Sequence, residues 1–60
     1  MKLLDVVEAL HDLPERTVAK GRVGTIVEEL DGGTVLVEFA DETGIALAIV
    51  SVPVANLVLR

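Results

Sequence analysis

The sequence predicts an all-β fold of five short strands. The chain has 60 residues, of which 52% are hydrophobic, and it contains no cysteine and a single aromatic residue, Phe39. Short runs rich in valine, leucine, isoleucine and alanine alternate with Gly-, Pro- and Asp-containing turn signals, as in small all-β barrels and sandwiches. A chain of this length has enough residues for one small core. We therefore expect residues 1–60 to form one domain.

The first two strands are predicted on either side of a long loop. The first strand covers 3–10 (LLDVVEAL); its apolar spacing also fits a short helix, but the two valines and the proline that follows favour a strand. Residues 11–20 (HDLPERTVAK) are polar and contain Pro14, which predicts the long first loop. The second strand covers 23–30 (VGTIVEEL).

The middle of the chain predicts a tight hairpin. The "DGG" turn at 31–33 requires left-handed backbone, which glycine adopts without steric cost. The third strand, 34–41 (TVLVEFAD), alternates, with one face formed by Val35, Val37 and Phe39 and the other by Leu36, Glu38 and Ala40. Residues 42–44 (ETG) predict the next turn.

The fourth strand, 45–52 (IALAIVSV), is apolar on both faces. A strand of this kind is buried on both sides, and so short a chain has no second layer to supply the second cover. We therefore expect another subunit to supply it. With Ile45, Leu47 and Ile49 assigned to the barrel interior, the predicted interface residues are Leu36, Ala46, Ala48, Val50 and Val52.

The end of the chain completes the predicted architecture. Residues 53–56 (PVAN) suit a short 3₁₀ turn, and 57–60 (LVLR) a short last strand. Five strands, a long first loop, tight middle hairpins and this turn predict a small five-stranded SH3-like barrel. Closing or nearly closing the sheet would also protect its edges.

The glycines are predicted to have structural roles. A phosphate-binding loop needs glycines followed by Lys-Ser/Thr at the start of a helix, whereas "TIVEEL" after Gly24 is a strand pattern. We expect Gly21 to end the long loop with positive φ and Gly24 to permit a bend or bulge. The glycines assigned to structural turns are Gly21, Gly24, Gly32, Gly33 and Gly44.

No residue set predicts catalysis, a cofactor site or a metal site. His11 is the only histidine and, without cysteine, cannot anchor a zinc site. Ser51 is the only serine, and it lies in an apolar strand with no histidine near it in the sequence. The carboxylates near the two hairpins lack the spacing of a calcium loop and predict a solvated acidic rim, formed by Glu28, Glu29, Asp31, Asp41 and Glu42. We do not expect an enzyme.

The charge balance restricts the class of partner. The net charge is −5, and the five basic residues are scattered along the chain: Lys2, Arg16, Lys20, Arg22 and Arg60. Nucleic acids bind clustered cations and, as single strands, aromatic platforms, so this composition disfavours them and favours a basic protein partner. No apolar run is long enough to cross a membrane. We expect a cytoplasmic protein.

Two groups of residues carry a resemblance to known families. "KGRVGTIVEEL" (20–30) followed by "VLVEFAD" (35–41) resembles the glycine-bearing strand pair of SH3-like barrels, including the KOW motif of ribosome- and transcription-associated proteins. Together with "DVVEAL", "DLPE", Gly44 and "ALAIVSVPVANL", the whole chain resembles the bacterial family named domain of unknown function 4926. The run "RTVAKG" is less basic than we expect for that family.

The resemblance and the composition together define the functional expectations. The family has no established activity, and its members' setting in compact operons implies a partner protein, as in antitoxin or immunity pairs. We expect a non-catalytic protein-interaction module that forms a homo-oligomer and binds a basic partner from the same operon. The KOW likeness implies the alternative, a domain that binds RNA or ribosomal components.

Overall fold

The fold is a single antiparallel sheet of five strands. A computed structural model describes residues 1–13, 18–40, 43 and 45–60. The elements are β1 (Val6–Ala9), β2 (Val23–Glu29), β3 (Thr34–Ala40), β4 (Ala46–Pro53), a 3₁₀ turn (Val54–Asn56) and β5 (Leu57–Leu59). The all-β class, the five strands and the 3₁₀ turn before the last strand are as the sequence predicts.

The sheet has two open edges. The strand order is β4-β3-β2-β1-β5, so β4 and β5 lie at opposite ends of the hydrogen-bonded ladder. A closed barrel needs these two strands to pair with each other, and β5, three residues long, pairs with β1 instead. The sequence predicts a closed or nearly closed sheet, and the described strands do not close it into a barrel.

A hydrogen-bonded turn delays the start of β1. The N–H of Asp5 donates to the carbonyl of Lys2 at 3.0 Å, and the N–H of Lys2 donates to Oδ2 of Asp5 at 2.9 Å. Leu4 has φ 70°, inside this turn, and its N–H donates to the carbonyl of Ile26 at 2.8 Å. The predicted strand over 3–10 thus begins only at Val6 and ends at Ala9, and the helical alternative is not found.

The core lies on one face of the sheet, which we call the inner face. Phe39, Ile26 and Val37 are fully buried at its centre. Leu13 and Val18, from the predicted first loop, also belong to the core and exchange two backbone hydrogen bonds of 2.7 and 3.2 Å. The complete buried set is Val7, Ala9, Leu13, Val18, Ile26, Val35, Val37, Phe39, Val52 and Leu57.

Gly24 is required by the close approach of β2 to β3. A Cβ atom at Gly24 would lie 2.7 Å from Cγ1 of Val37, 2.8 Å from the carbonyl oxygen of Glu38 and 2.9 Å from Cδ1 of Phe39. The sequence predicts a bend or a bulge at Gly24. The register shift between these strands falls between Ile26 and Glu28 instead, so the bulge is not at Gly24.

The described turn glycines have the positive φ angles that the sequence predicts. Gly32 and Gly33 both have φ 75°, and Gly21 has φ 88°. Positive φ at these positions is the conformation that the tight hairpin and the end of the first loop were predicted to need. Gly44, the remaining predicted turn glycine, lies outside the described residues.

Replacing Gly24 with alanine should destabilise the fold because its new methyl group would overlap a neighbouring carbonyl and the core. We expect Gly24→Ala to lower the free energy of unfolding by about 1–3 kcal/mol, the usual cost of overpacking. Urea denaturation monitored by far-UV circular dichroism measures this change. Thr25→Ala is the matched control, since Thr25 lies on the opposite face and should cost less than about 1 kcal/mol. Equal losses in the two variants would contradict the close-approach role.

Candidate functional site

The outer face of the sheet carries exposed apolar side chains. Directly paired residues project from the same face of a sheet, so the pairs Val6–Thr25, Thr25–Glu38 and Glu38–Ile49 place these four residues in one row across β1 to β4. Val6 is 44% exposed and Ile49 is 55% exposed. The row therefore has an apolar residue at each end and polar residues in the middle.

The structure corrects the predicted faces of β4. Val52, Val50 and Ala48 pair with Val35, Val37 and Phe39, which are all buried. Val52, Val50 and Ala48 therefore turn toward the core, and Val52 is fully buried in it. From Ala48 to Val52 the alternation in the sequence separates the two sets, and the pairing with β3 decides which set lies inside. A register shift between Ala46 and Ala48 interrupts the predicted alternation, so that Ala46 pairs with Ala40.

The five predicted interface residues consequently do not share a face. Leu36 pairs with Ser51 on the outer face, whereas Ala48, Val50 and Val52 lie on the inner face. Ile49 and Ile45, assigned by the sequence to the interior, are 55% and 66% exposed. The side chain of Ala46 lies outside the described residues. Val52 cannot offer an exposed side chain to a partner, and the interface itself stays a prediction.

The backbone groups of β4 alternate in direction along the strand. The N–H of Val54 donates to the carbonyl of Gly33 at 2.9 Å. Hydrogen-bonded and non-hydrogen-bonded pairs alternate along an antiparallel ladder, so Val52, Val50 and Ala48 direct their backbone groups toward β3. Ile49 and Pro53 direct theirs outward. Proline, which has no N–H, is tolerated at such an outward position of an edge strand.

The opposite edge is shorter and charged. Leu57–Leu59 form β5, and the guanidinium of Arg60, which follows it, lies 3.0 Å from Oε1 of Glu8 on β1. Both side chains are substantially exposed, and ion pairs of this kind contribute less than about 1 kcal/mol to stability. The pair nevertheless places charge at this edge, whereas β4 has none in its sequence.

The N-terminal turn forms a second apolar feature. Met1, Leu3 and Leu4 are exposed, and Leu4 is the most exposed of the large apolar residues described, at 71%. Its left-handed backbone conformation costs a leucine roughly 1–2 kcal/mol. Hydrogen bonds to Ile26 and within the turn stabilise that conformation.

The candidate chemical groups are dispersed over the surface. His11 and Ser51 are both exposed, and they lie in the first loop and on β4. Glu28, Glu29 and Asp31 are exposed near the β2–β3 hairpin, while Asp41 and Glu42 fall outside the described residues. Within the part of the chain that the structure describes, no group of three His, Asp or Glu side chains is placed to hold a metal ion.

Lys20 and Arg22 are the two basic residues that lie nearest each other in the sequence, and Asp12 binds the backbone at Lys20. Lys20 is exposed and Arg22 is half-buried, at a turn where the N–H of Arg22 donates to the carbonyl of Ala19. The backbone N–H of Lys20 donates to Oδ1 of Asp12 at 2.8 Å. The Asp12 carboxylate is therefore bound to the backbone of the turn that carries Lys20 and Arg22.

Comparison with known proteins assigns the chain to a family. The family model described as a domain of unknown function (DUF4926) matches residues 3–59, nearly the whole chain. The chain belongs to this family, as the sequence resemblance predicts. No curated protein and no solved structure matches the chain. The described residues include no helix whose length and hydropathy would let it span a membrane.

Proposed function

We propose that this protein is a non-catalytic interaction module that self-associates in the cytoplasm. The observation that carries the proposal is the character of β4: an eight-residue strand at the edge of the sheet, without a charged residue and with Ile49 more than half exposed. Monomeric proteins usually protect such edges with charges, prolines, bulges or very short strands. β4 has a register shift between Ala46 and Ala48 and a proline at its end, Pro53, but the stretch between them, 48–52, has no charge to keep a partner away.

The remaining exposed apolar residues support the same class of function. Val6, Val58 and Ile49 lie on the outer face, and Leu3 and Leu4 lie at the N-terminal turn. Thr25 and Glu38 separate Val6 from Ile49 on the outer face, and single exposed apolar residues are ordinary. Ile49, which lies on the end strand β4, is therefore the residue of this face that supports an interface at that edge.

A basic protein partner is the second part of the proposal. The net charge of −5 and the exposed Glu28, Glu29 and Asp31 would accelerate encounter with a basic surface. The family resemblance suggests an antitoxin or immunity role within a pair of neighbouring gene products. Co-expression with each neighbouring product should yield a complex that co-purifies at moderate salt, and failure with every neighbour would remove this part of the proposal.

Binding of RNA or ribosomal components is the alternative function. The exposed Lys20 beside Arg22 supports it, whereas Asp12 and the negative net charge oppose it. RNA binding at physiological salt, weakened by charge reversal at Lys20 and Arg22, would favour this alternative over a protein partner.

Self-association should appear as a concentration-dependent mass. We expect light scattering to give a mass above the 6.4 kDa of one chain, rising as the concentration increases from micromolar to millimolar. The thermal midpoint should rise with concentration too, because association stabilises the folded state by mass action. A mass of one chain throughout this range would contradict the proposal.

Salt should strengthen self-association. Two copies, each with a net charge of −5, repel one another, and added salt screens that repulsion. The measurement is the dissociation constant from sedimentation at low and high sodium chloride. RNA binding would have the opposite salt dependence, because phosphate contacts release counterions. Weaker self-association at high salt would indicate an interface held by ion pairs rather than by β4.

A further inference from the structure

We propose that Asp31 is a site of spontaneous covalent modification, at which its side-chain carboxyl condenses with the backbone nitrogen of Gly32 to form a succinimide that opens to isoaspartate. This inference does not depend on the proposed interaction function. The two groups belong to adjacent residues in the tight hairpin between β2 and β3. Because the condensation is intramolecular and closes a five-membered ring, the reacting groups have a high effective concentration.

The reaction needs no co-reactant other than water. The nitrogen of Gly32 attacks Cγ of Asp31, a C–N bond forms, and the carboxyl hydroxyl leaves as water with the proton that the nitrogen loses. A water molecule then opens the ring at one of its two carbonyl carbons. Opening at Cγ restores Asp31, whereas opening at the main-chain carbonyl carbon leaves Gly32 joined to Cγ, which is isoaspartate. Nothing is oxidised or reduced.

Both reacting groups are unbound in the folded hairpin. Asp31 is exposed. The hydrogen bond that closes the hairpin joins the N–H of Leu30 to the carbonyl of Thr34 at 3.0 Å and does not involve Gly32. Among the described residues, the N–H of Gly32 and the carboxylate of Asp31 have no hydrogen-bond partner. No such bond has to break before the two groups react.

Space and backbone freedom at Gly32 also favour ring closure. A Cβ atom at Gly32 would have nothing within 4 Å, and its φ is 75°. Glycine has no side chain to shield its nitrogen, and it has more backbone freedom than any other residue. Loop tips are also where a chain tolerates local change best. We therefore expect the carboxyl of Asp31 to reach the nitrogen without displacing another part of the protein.

Asp12 is protected where Asp31 is not. Its Oδ1 accepts a hydrogen bond of 2.8 Å from the backbone N–H of Lys20. The nitrogen that it would have to attack belongs to Leu13, whose N–H donates to the carbonyl of Val18 at 2.7 Å. Both reacting groups at Asp12 are therefore bound in the folded chain, although the residue lies in a loop as Asp31 does.

Asp5, the remaining described aspartate, is also held. Its Oδ2 accepts a hydrogen bond of 2.9 Å from the backbone N–H of Lys2. The residue that follows it, Val6, starts β1 and has a stiff, β-branched side chain next to the nitrogen. Of the described aspartates, Asp31 is therefore the one whose carboxyl and following nitrogen are both accessible.

Isoaspartate at position 31 would lengthen the hairpin by one backbone atom, because the chain would run through Cβ and Cγ of that residue. The tip of the hairpin is linked to the 3₁₀ turn by a hydrogen bond of 2.9 Å from the N–H of Val54 to the carbonyl of Gly33. Since loop length fixes the register of a hairpin, the longer backbone would weaken this contact. The succinimide would also remove one exposed negative charge from the acidic hairpin.

Incubation of the full, folded chain tests the site. Mildly acidic buffer favours the protonated carboxyl, which can lose its hydroxyl as water. Electron-transfer fragmentation locates isoaspartate along the chain and distinguishes position 31 from Asp41, and an isoaspartyl methyltransferase with a labelled methyl donor measures its amount. We expect isoaspartate at position 31, preceded by a species lighter by one water molecule. The same incubation in urea should add isoaspartate at Asp12, whose protecting hydrogen bonds are then lost.

Two variants at position 31 separate ring closure from charge and folding. Asp31→Glu keeps the charge, but its ring would be six-membered and closes far more slowly, so we expect the isoaspartate signal at this position to be lost. Asp31→Asn supplies ammonia as the leaving group, so we expect a larger signal than in the unmodified chain at neutral pH. Position 31 is an exposed turn, and both variants should keep the far-UV circular dichroism spectrum of the unmodified chain.

The outcomes are distinct. Isoaspartate at position 31 in the folded chain, lost in Asp31→Glu, supports the inference. Isoaspartate that forms there only in urea overturns it, because the folded hairpin would then protect the site. Equal amounts at Asp12 and Asp31 in the folded chain, or an unchanged signal in Asp31→Glu, would also overturn it. So would the absence of isoaspartate at position 31 in both the folded and the unfolded chain.

Discussion

A five-stranded sheet has two faces, and the described residues of this chain cover only one of them. Phe39, Ile26 and Val37 form the centre of the inner core, and Leu13 and Val18 close it from the first loop. No comparable cover exists for the outer face among the described residues, where Val6, Val58 and Ile49 remain exposed. Because small domains bury a limited fraction of their surface, apolar residues beyond the needs of the inner core are left at the surface, where another chain can use them.

The packing of the inner face depends on how closely β2 approaches β3. Gly24 permits that approach, since a side chain there would meet both the backbone and Phe39. The same β3 strand pairs with β4 on its other side and turns Val50 and Val52 inward. A consequence is that Ile49 must point outward, next to the open edge. The inward position of Val50 and Val52 and the outward position of Ile49 are therefore set by one strand pairing.

The two edges of the sheet differ in a way that bears on partner choice. The β5 edge is short and ends at the ion pair between Arg60 and Glu8. The β4 edge is long and uncharged, and its proline occupies an outward position near its end. On a chain of net charge −5, the two edges therefore differ in charge as well as in length.

The sequence by itself determined the strand class, the tight glycine hairpin, the 3₁₀ turn and the family, because alternation and turn chemistry are local properties. It also separated the two faces of β4 from Ala48 to Val52, but it did not predict the register shift between Ala46 and Ala48. Only the tertiary structure decided which face is buried, since the pairing partner and not the alternation fixes that choice. The open sheet, the burial of Leu13 and Val18, and the turn that shortens β1 likewise depend on contacts between residues distant in the sequence. The hydrogen bond from Leu4 to Ile26 is one such contact, and no local pattern predicts it.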